Sequence, residues 1–240
     1  MSLQENIASV QERIAAAARR AGREAAEISL VAATKVQTSD TIRAAIAAGV
    51  RICGENRVQE MAAHLDDNAY AGARLHFIGH LQTNKVKQVV GRVDLIESVD
   101  SPRLLEAISK RAGELELVQD ILLEVNIAGE ESKGGIPPAQ LPSLAQKALE
   151  LPHVRLRGLM CIPPIVAPGA SNRKFFAQTR QLFVDIRTKI ADNIADMDCL
   201  SMGMSGDFED AVEEGATLVR VGTALFGPRP PMAGADKQKT

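Results

Sequence analysis

The sequence predicts an α/β protein folded as a single-domain (β/α)₈ barrel, a TIM barrel. Three observations lead there. Eight short β-branched or apolar runs recur along 240 residues, amphipathic helical stretches of about 10 to 20 residues separate them, and each run ends on polar residues. Strands that alternate with helices build a parallel sheet. Eight such units in about 200 residues fit a small barrel at the low end of its usual size. An open doubly wound sheet is the competing architecture, because the RICG run is short enough to be miscounted.

In chain order, the first segment (about 2–21) reads as a helix. Ile7, Val10, Ile14 and Ala17 or Ala18 recur at helical spacing, Gln and Glu fill the other face, and Gly22 stands where a helix stops. The strand candidates follow as Ile28–Thr34, Arg51–Gly54, Leu75–Gly79, Val93–Val99, Val118–Asn126, Val154–Ile162, Cys199–Gly203 and Thr217–Gly222. Between them, TIRAAIAAG, SPRLLEAISKRAGE and SNRKFFAQTRQLFVDIRTKIADNI have helical patterning. Ser39, Ser101 with Pro102 in the first turn, and Ser171 or Asn172 are plausible caps. The barrel is expected over about 28–227, and the tail 228–240 lacks apolar periodicity and reads as loose.

Composition narrows the function. Twenty-eight basic and 30 acidic residues give a net charge of −2 with no basic block, which argues against nucleic acid or an anionic membrane as the main partner. Aromatic residues make up 3%, with no Trp, one Tyr and six Phe, too few for the stacking platforms of single-stranded nucleic-acid or sugar binders. Cys53, Cys161 and Cys199 are an odd number at wide spacing, with neither a disulfide framework nor metal-ligand spacing, and favour a reducing compartment. The N-terminus carries charges where a signal peptide needs an apolar stretch, and no run approaches the length of a membrane span. The expectation is a cytoplasmic protein without a metal.

In parallel α/β architectures, function gathers at the carboxyl ends of the strands. Lys35 follows the first run, where partial burial lowers an ammonium's pKa and permits a Schiff base with a carbonyl compound; a solvated strand-end lysine is the plainer alternative. The stretch Ser201–Gly222 runs from a strand end through a Ser- and Gly-containing loop and an acidic helix to a second strand ending at Arg220-Val221-Gly222-Thr223. Loops after the last two strands of a barrel often hold phosphate. Ser201, Ser205 and the amides around Gly222 and Thr223 suit that task, with Gly203 and Gly222 permitting close approach. Asn56 and Arg57 face the mouth or cap the next helix; His80 is the histidine that could face the site, and His76 is expected in the wall. P-loop, GxSxG and GxGxxG patterns are missing from the sequence. The residues alone point to a phosphate-bearing small molecule in a barrel mouth.

Seven ordered stretches carry a resemblance: AATKVQ, GENRVQE, HFIGHLQTNK, ESVDS, EVNIAGEESKGG, GLMCIPP and SMGMSGDFEDAVEEGATLVRVGTALFG. From about Leu30 to Gly227 the chain resembles the YggS/PROSC family of pyridoxal phosphate homeostasis proteins. The resemblance implies a fold-type III barrel similar to the N-terminal domain of alanine racemase. It implies pyridoxal 5'-phosphate (PLP) as cofactor, held as a Schiff base on Lys35, with the phosphate against Ser201, Ser205, Gly222 and Thr223. It further implies Asn56 at the ring edge and Arg220 beside the pyridine.

Racemases of this fold use a second base, usually a tyrosine, and the one tyrosine here, Tyr70, precedes the third strand, where it is expected at the wrong end of the barrel. The permanently charged Arg220 also weakens the cofactor as an electron sink. The expectation is therefore a non-catalytic PLP carrier or regulator for vitamin B6 and amino/keto-acid balance, a monomer, with PLP-dependent apo-enzymes or a regulatory protein as partners. A weak PLP-dependent racemase or transaminase and a Schiff-base aldolase barrel are the alternatives.

Overall fold

A computed structural model describes residues 2–130, 133–164, 171–190 and 196–228. Eight strands close into one parallel barrel in chain order. They are β1 (Ser29–Ala33), β2 (Ile52–Glu55), β3 (Arg74–Phe77), β4 (Leu95–Val99), β5 (Gln119–Val125), β6 (Val154–Cys161), β7 (Cys199–Ser201) and β8 (Leu218–Val221). Each coincides with one of the eight apolar runs. β1 closes the barrel against β8, with Ala32 opposite Val221, and pairs with β2, with Ala33 opposite Gly54. The open-sheet alternative fails at that closure.

The helices are α1 (Leu3–Arg20), α2 (Ser39–Ala47), α3 (Val58–Asp66), α4 (Pro102–Glu114), α5 (Leu141–Glu150), α6 (Arg173–Lys189), α7 (Phe208–Glu213) and α8 (Thr223–Phe226). A capping box starts α1: Ser2 Oγ accepts from Glu5 N while Glu5 Oε2 accepts from Ser2 N. Ser101 caps α4, its Oγ accepting from Leu104 N. Thr38, rather than Ser39, caps α2, because its Oγ1 accepts from Thr41 N at 3.2 Å. Asn172 stands at the cap position of α6, but Ser171 Oγ accepts from Arg173 N. The β3–β4 crossover is a 3₁₀ turn over Thr83–Gln88 instead of an α-helix; such tight turns rarely exceed one or two rounds. The tail from Arg229 and the stretch 191–194 of the expected sixth-crossover helix lie outside the described residues.

At four residues, α8 is too short to cover the outside of β8. The N-terminal helix packs there, against α7, α8 and α2. It buries Ile7, Val10, Ile14, Ala17 and Ala18, at about 1.5–3 kcal/mol for each large aliphatic side chain. Asn6 Nδ2 donates to Leu225 O at 2.9 Å, and Arg13 reaches Glu209 at 2.8 Å while stacking over Phe208. These contacts fix α8, and with it the turn that ends β8.

The apolar residues divide into two cores. One fills the space between barrel and helices. The other is the barrel interior, formed by Val31, Ala33, Ile52, Ile78, Leu95, Leu122, Met160 and Leu218. Alternation along a strand carries the inward face on by two residues, from Leu95 to Glu97, from Leu122 to Glu124 and from Leu218 to Arg220. The upper interior is therefore polar and opens toward the carboxyl ends of the strands. Among the described residues, no helix is long and apolar enough to cross a membrane.

Candidate functional site

The residues predicted for the site come from four neighbouring strand ends, β7, β8, β1 and β2. Lys35 is the second residue after β1, half-buried in a turn. Val36 behind it takes φ 59°, unusual for a β-branched residue and a mark of a tightly determined turn. Two contacts hold that turn: Glu60 Oε2 accepts from Val36 N at 3.0 Å, and Thr34 Oγ1 donates to Glu55 Oε1 at 2.7 Å.

Glu55 is fully buried. Its Oε1 also accepts from the Tyr70 hydroxyl at 2.9 Å and lies 3.2 Å from His64 Nδ1. Glu55 thus braces Lys35 from behind and does not face the mouth. Tyr70 stands in the loop before β3, at the amino end, as its chain position suggests. Its hydroxyl reaches the carboxyl end of β2, between the wall and α3, and burial followed by the Glu55 charge pushes its pKa far up.

One strand further, Asn56 Oδ1 is buried with no hydrogen-bond partner. Buried polar atoms are almost always paired, so an orphaned acceptor at a strand end calls for a donor from outside the chain. Next to it, Gly79 lies so close that a Cβ would stand 2.1 Å from Asn56 O; glycine at 79 lets the Asn56 backbone sit where it does.

On the other side of Lys35, Ser205 Oγ accepts from Gly222 N at 3.1 Å and Ala224 N at 3.3 Å. Two backbone amides thus converge on one oxygen here, the geometry by which turns of this kind hold an anion's oxygen. Gly222 lies against Ala33, the residue before Thr34-Lys35, with room for an added Cβ at 3.5 Å. Thr223 is exposed at the start of α8. Gly203 serves packing instead of ligand approach: its φ is 91°, and a Cβ would stand 2.5 Å from Ala211 Cβ.

Ser201 is corrected by its surroundings. It is fully buried inside the barrel, and its hydroxyl donates to Glu97 Oε2 at 2.6 Å while accepting from Arg220 Nη1. A serine hydroxyl has one proton, and this one is committed to Glu97, so Ser201 has no donor to offer a phosphate. Arg220, 4% exposed, also donates through Nη2 to Cys161 O at 2.8 Å. That leaves Lys35, Asn56, Ser205, Arg220, Gly222 and Thr223 around one half of the mouth.

The other half, from β3 to β6, differs. His80 is exposed on the rim, 3.5 Å from Asp100, and His76 is buried in the wall as expected. Asn126 folds its own loop: Nδ2 donates to Glu130 O and Oδ1 accepts from Glu130 N. Back at the end of β2, Arg57 pairs with Glu60 on the surface. Glu124 is a buried carboxyl pushed up to about 7 by burial and then by the Asp100 charge, with Arg220 opposing. Among the described residues, no cluster of His, Cys, Asp or Glu could hold a metal. Burial, and then the Glu55 charge, pushes the Cys53 thiol up to about 12.

Residues 4–230 match the family model described as alanine racemase, N-terminal domain. A pyridoxal phosphate homeostasis protein of Aquifex aeolicus is 44% identical over 229 residues, 95% of this chain and 99% of that protein. Its namesake in Pseudomonas aeruginosa is 40% identical over 228 residues, 95% of this chain and 96% of that protein. The chain belongs to the pyridoxal phosphate homeostasis protein family.

Among solved structures, PipY of Synechococcus elongatus with PLP bound is 35% identical, with a TM-score of 0.80 over 94% of this chain and 100% of that one. An alanine racemase of Clostridium difficile has a TM-score of 0.69 at 11% identity, over 92% of this chain and 57% of that one. That likeness shows the fold alone. The homeostasis family thus shares the fold-type III barrel with the racemases: the patterning predicted the barrel, and the resemblance implied its fold type.

Proposed function

We propose that this chain binds PLP as a Schiff base on Lys35 and serves vitamin B6 homeostasis and amino/keto-acid balance as a carrier or regulator. The observation that carries the reading is the orphaned Asn56 Oδ1 beside Lys35, at a strand-end cluster whose family includes a PLP-bound relative. Lys35 supplies the amine. Asn56 meets the ring edge, Arg220 the pyridine side, and Ser205, Gly222 and Thr223 the phosphate. When bound, PLP supplies a carbonyl for imine exchange and a conjugated ring that can delocalise charge.

Three features support weak or absent catalysis. Arg220 stays charged and disfavours a proton on a neighbouring ring nitrogen. The Tyr70 hydroxyl is engaged by Glu55 behind the wall, away from the mouth. The relatives carry a homeostasis name and not an enzyme's. In this reading the chain is one PLP-binding barrel, cytoplasmic and monomeric, passing cofactor to PLP-dependent apo-enzymes, with neither nucleic acid nor membrane as partner.

The test is absorbance. PLP added to the apo-protein is expected to produce a yellow band that borohydride bleaches; a protein that gains no visible band overturns the reading. For catalysis, amino acids labelled with deuterium at the α-carbon are expected to keep their label as they do with free PLP. Faster, Lys35-dependent loss would establish the racemase or transaminase alternative instead.

A further inference from the structure

Side chains from β3 and β7 converge on one carboxylate of β4 in the middle of the barrel. Glu97 of β4 has no exposure. His76 of β3 donates from Nδ1 to Glu97 Oε1 at 2.7 Å, and Ser201 of β7 donates to Oε2 at 2.6 Å. The Ser201 oxygen accepts from Arg220 of β8, which also holds the Cys161 carbonyl of β6. Arg220 Nη1 itself lies 3.9 Å from Glu97 Oε2.

The physics assigns each group a task. A guanidinium 4% exposed needs a counter-charge, and Glu97 is the carboxylate in reach. Burial alone would raise the Glu97 pKa, but the His76 hydrogen bond and charge, then Arg220 and Ser201, outweigh it and leave the carboxyl below its ordinary range. Glu97 is therefore an anion. Ser201 passes its charge on in a directed way: donating to Glu97 turns the hydroxyl's lone pairs toward Arg220.

At the far end, His76 lines a cavity of about 860 Å³ at the amino-terminal end of the barrel, together with Arg74, Asp94, Gln119 and Cys199. The line thus runs from that cavity through the interior to the residue at the cofactor's pyridine side.

We propose that Glu97 is a positioning residue for the cofactor: through Ser201 it fixes the Arg220 guanidinium, and His76 fixes Glu97 from the opposite end of the barrel. This rests on the reading that Arg220 faces bound PLP. Charge-assisted hydrogen bonds of this kind are each worth more than a neutral one, and the arrangement sets where the positive charge meets the ring. His76 and Glu97 then act on the ring's visible spectrum without touching it.

The experiment compares wild type with Glu97→Gln, Ser201→Ala and His76→Gln. PLP titrations give affinity and absorbance maximum, and melts of the apo-proteins report folding. Glu97→Gln is expected to weaken PLP binding by about tenfold or more and to shift the visible maximum. Ser201→Ala and His76→Gln are expected to shift it in the same direction by less. Ser201→Ala keeps the test decisive if Glu97→Gln fails to fold. Wild-type affinity and an unmoved maximum in the folded variants would overturn the proposal while leaving PLP binding standing. A wild type that binds no PLP would overturn the functional reading, and this proposal with it.

Discussion

Glu124 offers a prediction whose magnitude follows from its surroundings. It is the next-to-last residue of β5, diametrically across the barrel from β1, and is 6% exposed. Its carboxyl is pushed from an ordinary 4.5 up to about 7, first by burial and then by Asp100. The folded pKa is the higher one, so between these values the fold keeps a proton that the unfolded chain has released. Stability from this group is full below about pH 4.5 and is lost as pH rises through about 7. A gap of about 2.5 pH units at about 1.4 kcal/mol each is about 3 kcal/mol, or about 6–12 °C in Tm for a chain of this size.

Glu124→Gln mimics the protonated side chain at every pH. Urea or thermal melts of the apo-proteins should find wild type and variant similar near pH 5 and the variant more stable by up to about 3 kcal/mol at pH 8. Glu97 acts in the opposite sense: its lowered pKa contributes stability that is lost as pH falls through the folded value. It does so in both proteins, so the comparison removes it. Identical pH profiles for wild type and Glu124→Gln would refute the reasoning.

Three further outcomes follow from contacts. Asn56→Ala removes an acceptor that is buried and unpaired; apo-protein melts should be unchanged or higher, while PLP titration should show binding weakened by about tenfold. Gly203→Ala forces a Cβ to within 2.5 Å of Ala211 Cβ at φ 91°, and urea melts should show a loss of about 2–4 kcal/mol. Tyr70→Phe deletes the 2.9 Å donation to Glu55 and should cost about 1–2 kcal/mol in the same assay, without abolishing the visible band of added PLP.

The barrel was legible because every strand is an apolar run bounded by polar residues, and closure followed from counting eight of them. Lys35, Asn56 and Gly222 were legible as strand-end residues, since the ends of a parallel barrel's strands converge on one mouth. Ser201 was misread because a strand end does not say whether a side chain rises to the rim or turns inside. Parity would have decided it. Leu218 and Arg220 point inward together, as do Leu95 and Glu97, and Ser201 belongs to the same interior layer. A glutamate inside the apolar run VDLIESV was the overlooked sign of a buried counter-charge. The contact of the Tyr70 hydroxyl with Glu55 was not legible because a long side chain on a loop can reach toward the other end of a four-residue strand. The 3₁₀ crossover at Thr83–Gln88 escaped because local patterning does not separate a short tight turn from a helix's first rounds.

Covalent capture at Lys35 is the claim on which the rest depends, and peptide mapping after borohydride reduction of the PLP-loaded protein tests it directly. A pyridoxyl group on the peptide containing Lys35, and none in Lys35→Ala under the same loading, is the predicted result. Label spread over surface lysines and unaffected by Lys35→Ala would contradict the account.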